Sequence, residues 1–105
     1  MKYQLSKEFR RKYKKQNVRI KNAINKTLQV FYKDSFNSFL NKHDLKDEWF
    51  GYKSIDIDYP DNNYRAVFKE FKQGNIHLAY FYFFGTHQEL YDKIWEIKGI
   101  INDKN

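Results

Sequence analysis

The sequence predicts one α+β domain, in which an N-terminal helical hairpin packs on a small, mainly antiparallel sheet and a C-terminal helix follows. Three observations lead there. Apolar residues recur at helical spacing between Phe9 and Phe31, alternate through the middle of the chain, and return to helical spacing after Gly85. Aromatics make up 20% of the residues (nine Tyr, ten Phe and two Trp), which fills a core in so short a chain and argues against intrinsic disorder. No repeat, low-complexity tract or linker interrupts the sequence, and 105 residues leave no room for a second core.

Each element has its own signal. Lys2–Leu5 reads as a short strand. Ser6 is an N-cap, with Glu8 in the first turn where the helix dipole favours an acid. Phe9 and Tyr13 share one face of a helix otherwise covered in Arg and Lys, which ends at Asn17. Ile20, Ala23, Ile24, Leu28 and Phe31 then mark a second helix. So short a break predicts an antiparallel hairpin with both basic faces outward. Ser35–Leu40 reads as a further helical turn and Asn41–Asp47 as a polar loop. Trp49–Tyr59 alternates, with Ile55, Ile57 and Tyr59 on one side and Ser54, Asp56 and Asp58 on the other. Pro60-Asp61-Asn62-Asn63 is a turn, Tyr64–Phe71 a second strand, and Gln73-Gly74-Asn75 a tight turn. Ile76–Phe84, apolar on both faces, is a third and central strand of the sheet, and the three strands form an antiparallel meander. Gly85 ends that strand. Thr86-His87-Gln88-Glu89 has the capping-box pattern, opening a helix from about His87 to Ile101 with Leu90, Ile94, Ile97 and Ile101 in one stripe.

The net charge of +7 is unevenly spread. Residues 1–33 hold eleven basic side chains against one acid, Glu8, so the remainder carries a net −3. A surplus of ten in one third of the chain predicts a polyanionic partner. The absence of cysteine excludes a disulfide framework and a thiolate zinc site. The longest apolar run, Ala79–Phe84, is too short to span a bilayer, and the first residues lack a signal-peptide core. A cytoplasmic location is expected.

Two groups of residues point to chemistry. His87 is expected as the first residue of a helix, where free N–H groups gather and a phosphate docks, and Tyr91 lies one turn on. Such a pair joins a proton carrier to a ring on which a base can stack. Asp56, Asp58 and Arg65 form the second group. A turn centred on Asp61-Asn62 places Asp58 opposite Arg65, whose planar donor fork suits a phosphate. A capping histidine and a plain cross-strand ion pair explain the same residues without function. His43 lies in a polar loop and His77 on a strand. Three histidines on different elements make no metal site. Arg10, Arg11, Lys14 and Lys15 of the first helix, with Lys46 and Lys53, are candidate RNA contacts.

Several segments together resemble a known family. Ser6-Lys7-Glu8-Phe9-Arg10-Arg11, His43-Asp44-Leu45, Trp49-Phe50-Gly51-Tyr52-Lys53-Ser54, Asn63-Tyr64-Arg65-Ala66-Val67-Phe68 and Gly85-Thr86-His87-Gln88-Glu89-Leu90-Tyr91 occur in the order and spacing of RelE/ParE-superfamily toxins, and of their YafQ-like branch in particular. The resemblance covers residues 2–92, with 93–105 as a helical extension. It implies a RelE-like fold and the toxin of a type II toxin–antitoxin system: a ribosome-dependent endoribonuclease that cuts mRNA without metal or cofactor. It further implies a cognate antitoxin as partner, beside the ribosome and mRNA. By motif, His87 is the general acid, His43 the base, Arg65 the phosphate ligand and Tyr91 the stacking aromatic. Tyr64 matches an aromatic of the YafQ-like branch, and Asp56 stands where that branch has a strand histidine. Phe83 and Phe84 stand where relatives carry an arginine before Gly-Thr-His. A ParE-like inhibitor of DNA gyrase without enzymatic activity, and a degenerate member that only binds antitoxin or nucleic acid, remain open alternatives.

Overall fold

The computed structural model describes residues 1–59 and 63–98. Its chain order is β1 (Lys2–Leu5), α1 (Lys7–Lys14), α2 (Val18–Lys33), a 3-10 turn (Ser38–Leu40), β2 (His43–Asp44), a second 3-10 turn (Asp47–Trp49), β3 (Lys53–Asp56), β4 (Tyr64–Gln73), β5 (Ile76–Thr86) and α3 (His87–Lys98). The strands form one sheet in the order β1-β5-β4-β3-β2. All neighbours are antiparallel except β1, which runs parallel to β5 from the far side of the helical hairpin. The expected α+β architecture is therefore present, and β5 is an interior strand.

Local chemistry sets the element boundaries. The Ser6 hydroxyl accepts from Phe9 N at 3.0 Å and donates to Tyr82 O at 2.8 Å, so one residue starts α1 and ties it to β5. Asn17 does not simply end α1. The helix stops at Lys14, and the Asn17 side chain caps α2 by accepting from Ile20 N at 3.0 Å. The N-terminal ammonium reaches the C-terminal end of α2, donating to Tyr32 O at 2.6 Å and Phe31 O at 3.3 Å, where a positive charge complements the helix dipole. Tyr13 links the two helices by donating to Asn25 Oδ1 at 2.8 Å.

One face of the sheet takes the helices. Phe9 from α1, Ile24, Leu28 and Phe31 from α2, Ile55, Phe68, Phe81 and Phe84 from the strands, and Ile57 just after β3 pack there. Phe31, Phe68 and Phe81 meet one another with ring centroids 4.8 to 5.2 Å apart. The opposite face carries a smaller cluster of Val67, Phe83 and Leu90, bordered by Leu45, Trp49 and Tyr52.

Phe81 and Phe84 are an odd number of residues apart yet both enter the main core. The register explains it: Val67 pairs with Phe83 and Phe68 with Phe81, leaving Tyr82 as the extra residue of a β-bulge. A bulge switches which residues face which side, and this one turns Phe83 toward α3.

Several boundaries differ from expectation. The loop Asn41–Asp47 contains the short strand β2, whose His43 pairs with Ser54. The expected strand Trp49–Tyr59 is ordered as strand only over Lys53–Asp56, because the second 3-10 turn occupies Asp47–Trp49. β5 continues through Gly85 and ends at Thr86, so Gly85 does not terminate it. The expected turn at residues 60–63 lies largely outside the described residues, as do the end of α3 at Ile101 and the side chains of Ile94 and Ile97.

Candidate functional site

Six residues form a continuous polar chain across the open face of the sheet and its rim, joined by side chains and by the Asn41 carbonyl. It begins at Ser54, which is fully buried and donates to His43 Nε2 at 3.3 Å. His43 Nδ1 lies 2.8 Å from the Asn41 carbonyl oxygen. A carbonyl only accepts, so His43 carries a proton on Nδ1, and in the neutral ring Nε2 is then the nitrogen with the lone pair. The Asn41 amide donates to Asp56 Oδ2 at 3.2 Å. Asp56 Oδ1 accepts from Arg65 Nε at 3.3 Å. Arg65 in turn donates from a terminal guanidinium nitrogen to His87 Nδ1 at 2.8 Å, which assigns the His87 proton to Nε2.

Backbone geometry sets these positions. Arg65 pairs with Asp56 across β3 and β4 and with Gly85 across β4 and β5. The expected pairing of Asp58 with Arg65 is therefore replaced by Asp56, because the ladder is offset by two residues. Asp58 lies instead 3.8 Å from Lys26 on an exposed rim. His87 is the first residue of α3, and the capping box holds it there: Thr86 N donates to Glu89 Oε1 at 2.8 Å and Glu89 N to Thr86 Oγ1 at 3.1 Å. Burial works to raise the Glu89 carboxyl pKa, but the bonds from Thr86 and the Lys12 ammonium outweigh it and hold the carboxyl below its ordinary value.

A pocket of about 120 Å³ opens beside this chain, lined by Ser54, Arg65, His87 and Tyr91 over an apolar floor that includes Trp49 and Val67. His87 and Tyr91 are both exposed at its rim. A small anion entering here meets a guanidinium, an imidazole N–H and an aromatic ring together. Among the described residues, no three His, Asp or Glu side chains gather as metal ligands.

Some expected site residues lie elsewhere. Tyr64 packs on the helix-covered face, its ring 5.5 Å from that of Tyr59, and burial there raises its hydroxyl pKa. Lys53 lies on the same face by strand alternation and is engaged by Asp44, a bond that raises the ammonium pKa. Lys46 is exposed one residue beyond Leu45 of the pocket lining. Arg10, Arg11, Lys14 and Lys15 are exposed on and just after α1.

Three participants were not singled out by the sequence: Asn41, Ser54 and Lys12. Ser54 had a signal, since it alternates with Asp56 on one strand face. Asn41 had only its residue type, which tolerates the left-handed backbone it adopts (φ 48°, ψ 47°). Lys12 was hidden among ten other basic residues. Its ammonium bonds Phe84 O at 2.9 Å and Glu89 at 3.1 Å, and sits 4.4 Å from the centre of the Phe83 ring. Lys93 sits 5.3 Å from the same ring and pairs with Glu8. Two lysines thus bracket Phe83, and both clasp α1 to α3.

Solved structures share this architecture. The YoeB/ParE toxin from Agrobacterium tumefaciens superposes with a TM-score of 0.64 at 19% identity, covering 83% of this chain and 99% of that one. YafQ from E. coli strain BL21(DE3) gives 0.60 at 14% identity, covering 85% and 96%. The chain has the RelE/ParE toxin fold. Helicobacter pylori HP0894, described as a conserved hypothetical protein, gives 0.53 at 18% identity, covering 86% and 98%. No family model and no curated protein matches the sequence. Within the RelE/ParE fold, the polar chain from Ser54 to His87 lies on the sheet face opposite the helical hairpin. Among the described residues, no helix is long and apolar enough to cross a membrane.

Proposed function

We propose that this protein is the toxin of a type II toxin–antitoxin pair and cuts ribosome-bound mRNA by attack of a ribose 2′-hydroxyl on the adjacent phosphate. The observation that carries the reading is the hydrogen-bonded chain that joins His43, Asp56, Arg65 and His87: the Asn41 carbonyl engages His43 Nδ1, which leaves Nε2 to act as the base, and Arg65 is bonded to His87. Phosphodiester transfer needs that set of a base, an acid and a cation. The 2′-hydroxyl displaces the long Ser54 contact at His43 Nε2, which takes its proton as the 2′-oxygen attacks phosphorus. Arg65 neutralises the negative charge that builds on the non-bridging oxygens. Phosphate binding draws the Arg65 donors off Nδ1, where His87 takes a second proton from solvent. The resulting imidazolium gives its Nε2 proton to the departing 5′-oxygen and returns to the neutral ring, leaving a 2′,3′-cyclic phosphate and a 5′-hydroxyl. Asp56, with both oxygens engaged, orients Arg65, and Tyr91 stacks on the base beside the cut. The exposed cations of α1 dock on ribosomal RNA or on an acidic, amphipathic antitoxin segment.

Expression without an antitoxin, followed by pulse labelling, tests this. Protein synthesis should stop before DNA replication, and H87A should relieve the arrest while the circular dichroism spectrum is unchanged. Replication stopping first would instead point to a gyrase inhibitor. Normal growth with full-length soluble protein would point to a member that binds without cutting.

A further inference from the structure

We propose that Asn41 is a positioning residue that fixes the tautomer of His43 and joins it to the Asp56–Arg65–His87 half of the site. The proposal deepens the ribonuclease reading and rests on it for its kinetic part alone. Asn41 closes the Ser38–Leu40 turn with its N–H bonded to Ser38 O at 3.2 Å and its backbone in the left-handed region. From there its carbonyl oxygen faces His43 Nδ1 at 2.8 Å while its side-chain amide reaches Asp56 Oδ2 at 3.2 Å. One residue therefore serves both halves through two different groups. A histidine's free nitrogen is set by the bond its other nitrogen makes, so the carbonyl decides that Nε2, not Nδ1, is available to a substrate hydroxyl. The amide decides where the Asp56 carboxylate stands, and through it Arg65. Ser54 marks the direction: it lines the pocket and meets His43 at Nε2.

The two groups can be separated by substitution. N41G keeps the left-handed conformation and the carbonyl but removes the amide, whereas N41V disfavours the conformation that presents the carbonyl. The tautomer is read directly from imidazole nitrogen shifts in long-range proton–nitrogen NMR, which requires no activity. Wild type and N41G should show His43 protonated at Nδ1, and N41V should shift the signals toward Nε2–H. On ribosomes, N41G should lower kcat about tenfold and leave KM within about twofold, since it disturbs the alignment of reacting groups and not docking. Three results would overturn the proposal: wild-type His43 protonated at Nε2, a folded N41V with wild-type nitrogen shifts, or N41G with wild-type kcat. If N41V does not fold, the wild-type tautomer and the N41G rate still decide. If wild-type protein cuts no mRNA, the ribonuclease reading fails while the tautomer measurement stands on its own.

Discussion

Arg65 holds Asp56 and His87 at once, which only a planar fork of several donors can do. A lysine keeps the charge but presents a single point, so it serves one partner and releases the other. R65K should therefore reduce single-turnover cleavage about 100-fold, close to the loss of a charge-stabilising donor, with little change in thermal midpoint. A rate within threefold of wild type would show that charge alone suffices. Arg65 and His87 stood out as candidates by their place on a strand and at a helix start, and His43 only through the resemblance of short motifs. The sequence did not reveal that Asp56 is the partner of Arg65. That depends on the offset between β3 and β4, and local pattern does not fix such an offset. Asn41 was illegible for a related reason: an asparagine in a polar loop looks the same whether or not its carbonyl meets a histidine two residues on.

Capping and ion pairs place α3, and through it His87 and Tyr91. The Thr86–Glu89 box satisfies two N–H groups at the helix start, so T86A should destabilise the protein by about 1 kcal/mol in urea unfolding. The acid limb of stability follows from the carboxyls of Glu89 and Glu70. Glu89 is held below its ordinary value as described above. Burial acts to raise the Glu70 pKa as well, but Lys42 at 2.6 Å and His77 at 3.1 Å outweigh it and hold that carboxyl low too. A carboxyl with a depressed folded pKa binds its proton more readily in the unfolded chain. Its contribution is complete above the ordinary glutamate value of 4.5 and is lost as pH falls through the lower folded value. The thermal midpoint should be level above about pH 5 and fall below about pH 4.5, and E70Q should flatten that fall. An equal acid loss in E70Q would remove Glu70 from the account. The elements themselves were largely legible, since Ser6, the α2 stripe and the capping box are local signals. The bulge at Tyr82 was not, because an all-aromatic run shows no break in alternation.

At the scale of the whole molecule, the cationic third and the candidate chemical site occupy different parts of the fold. Nine of the eleven basic residues in positions 1–33 are exposed, including Arg10, Arg11, Lys14 and Lys15. The polar chain from Ser54 to His87 is close to charge-balanced, with Asp56 beside Arg65. Docking and cutting should separate accordingly. Replacing Arg10, Arg11, Lys14 and Lys15 with Gln should reduce the slope of log affinity against log salt by about 3 for ribosome or RNA binding. It should leave kcat at saturation near wild type. A fall in kcat with unchanged salt dependence would place the cations in the chemistry instead. The central claim concerns bond cleavage, and the ends it leaves on RNA test it most directly. Ribosomes carrying a defined mRNA, incubated with purified protein, should yield fragments ending in a 2′,3′-cyclic phosphate and beginning with a 5′-hydroxyl, and H43A and H87A should yield at most about a hundredth as much. Intact mRNA, or fragments with a 5′-phosphate and a 3′-hydroxyl, would contradict it.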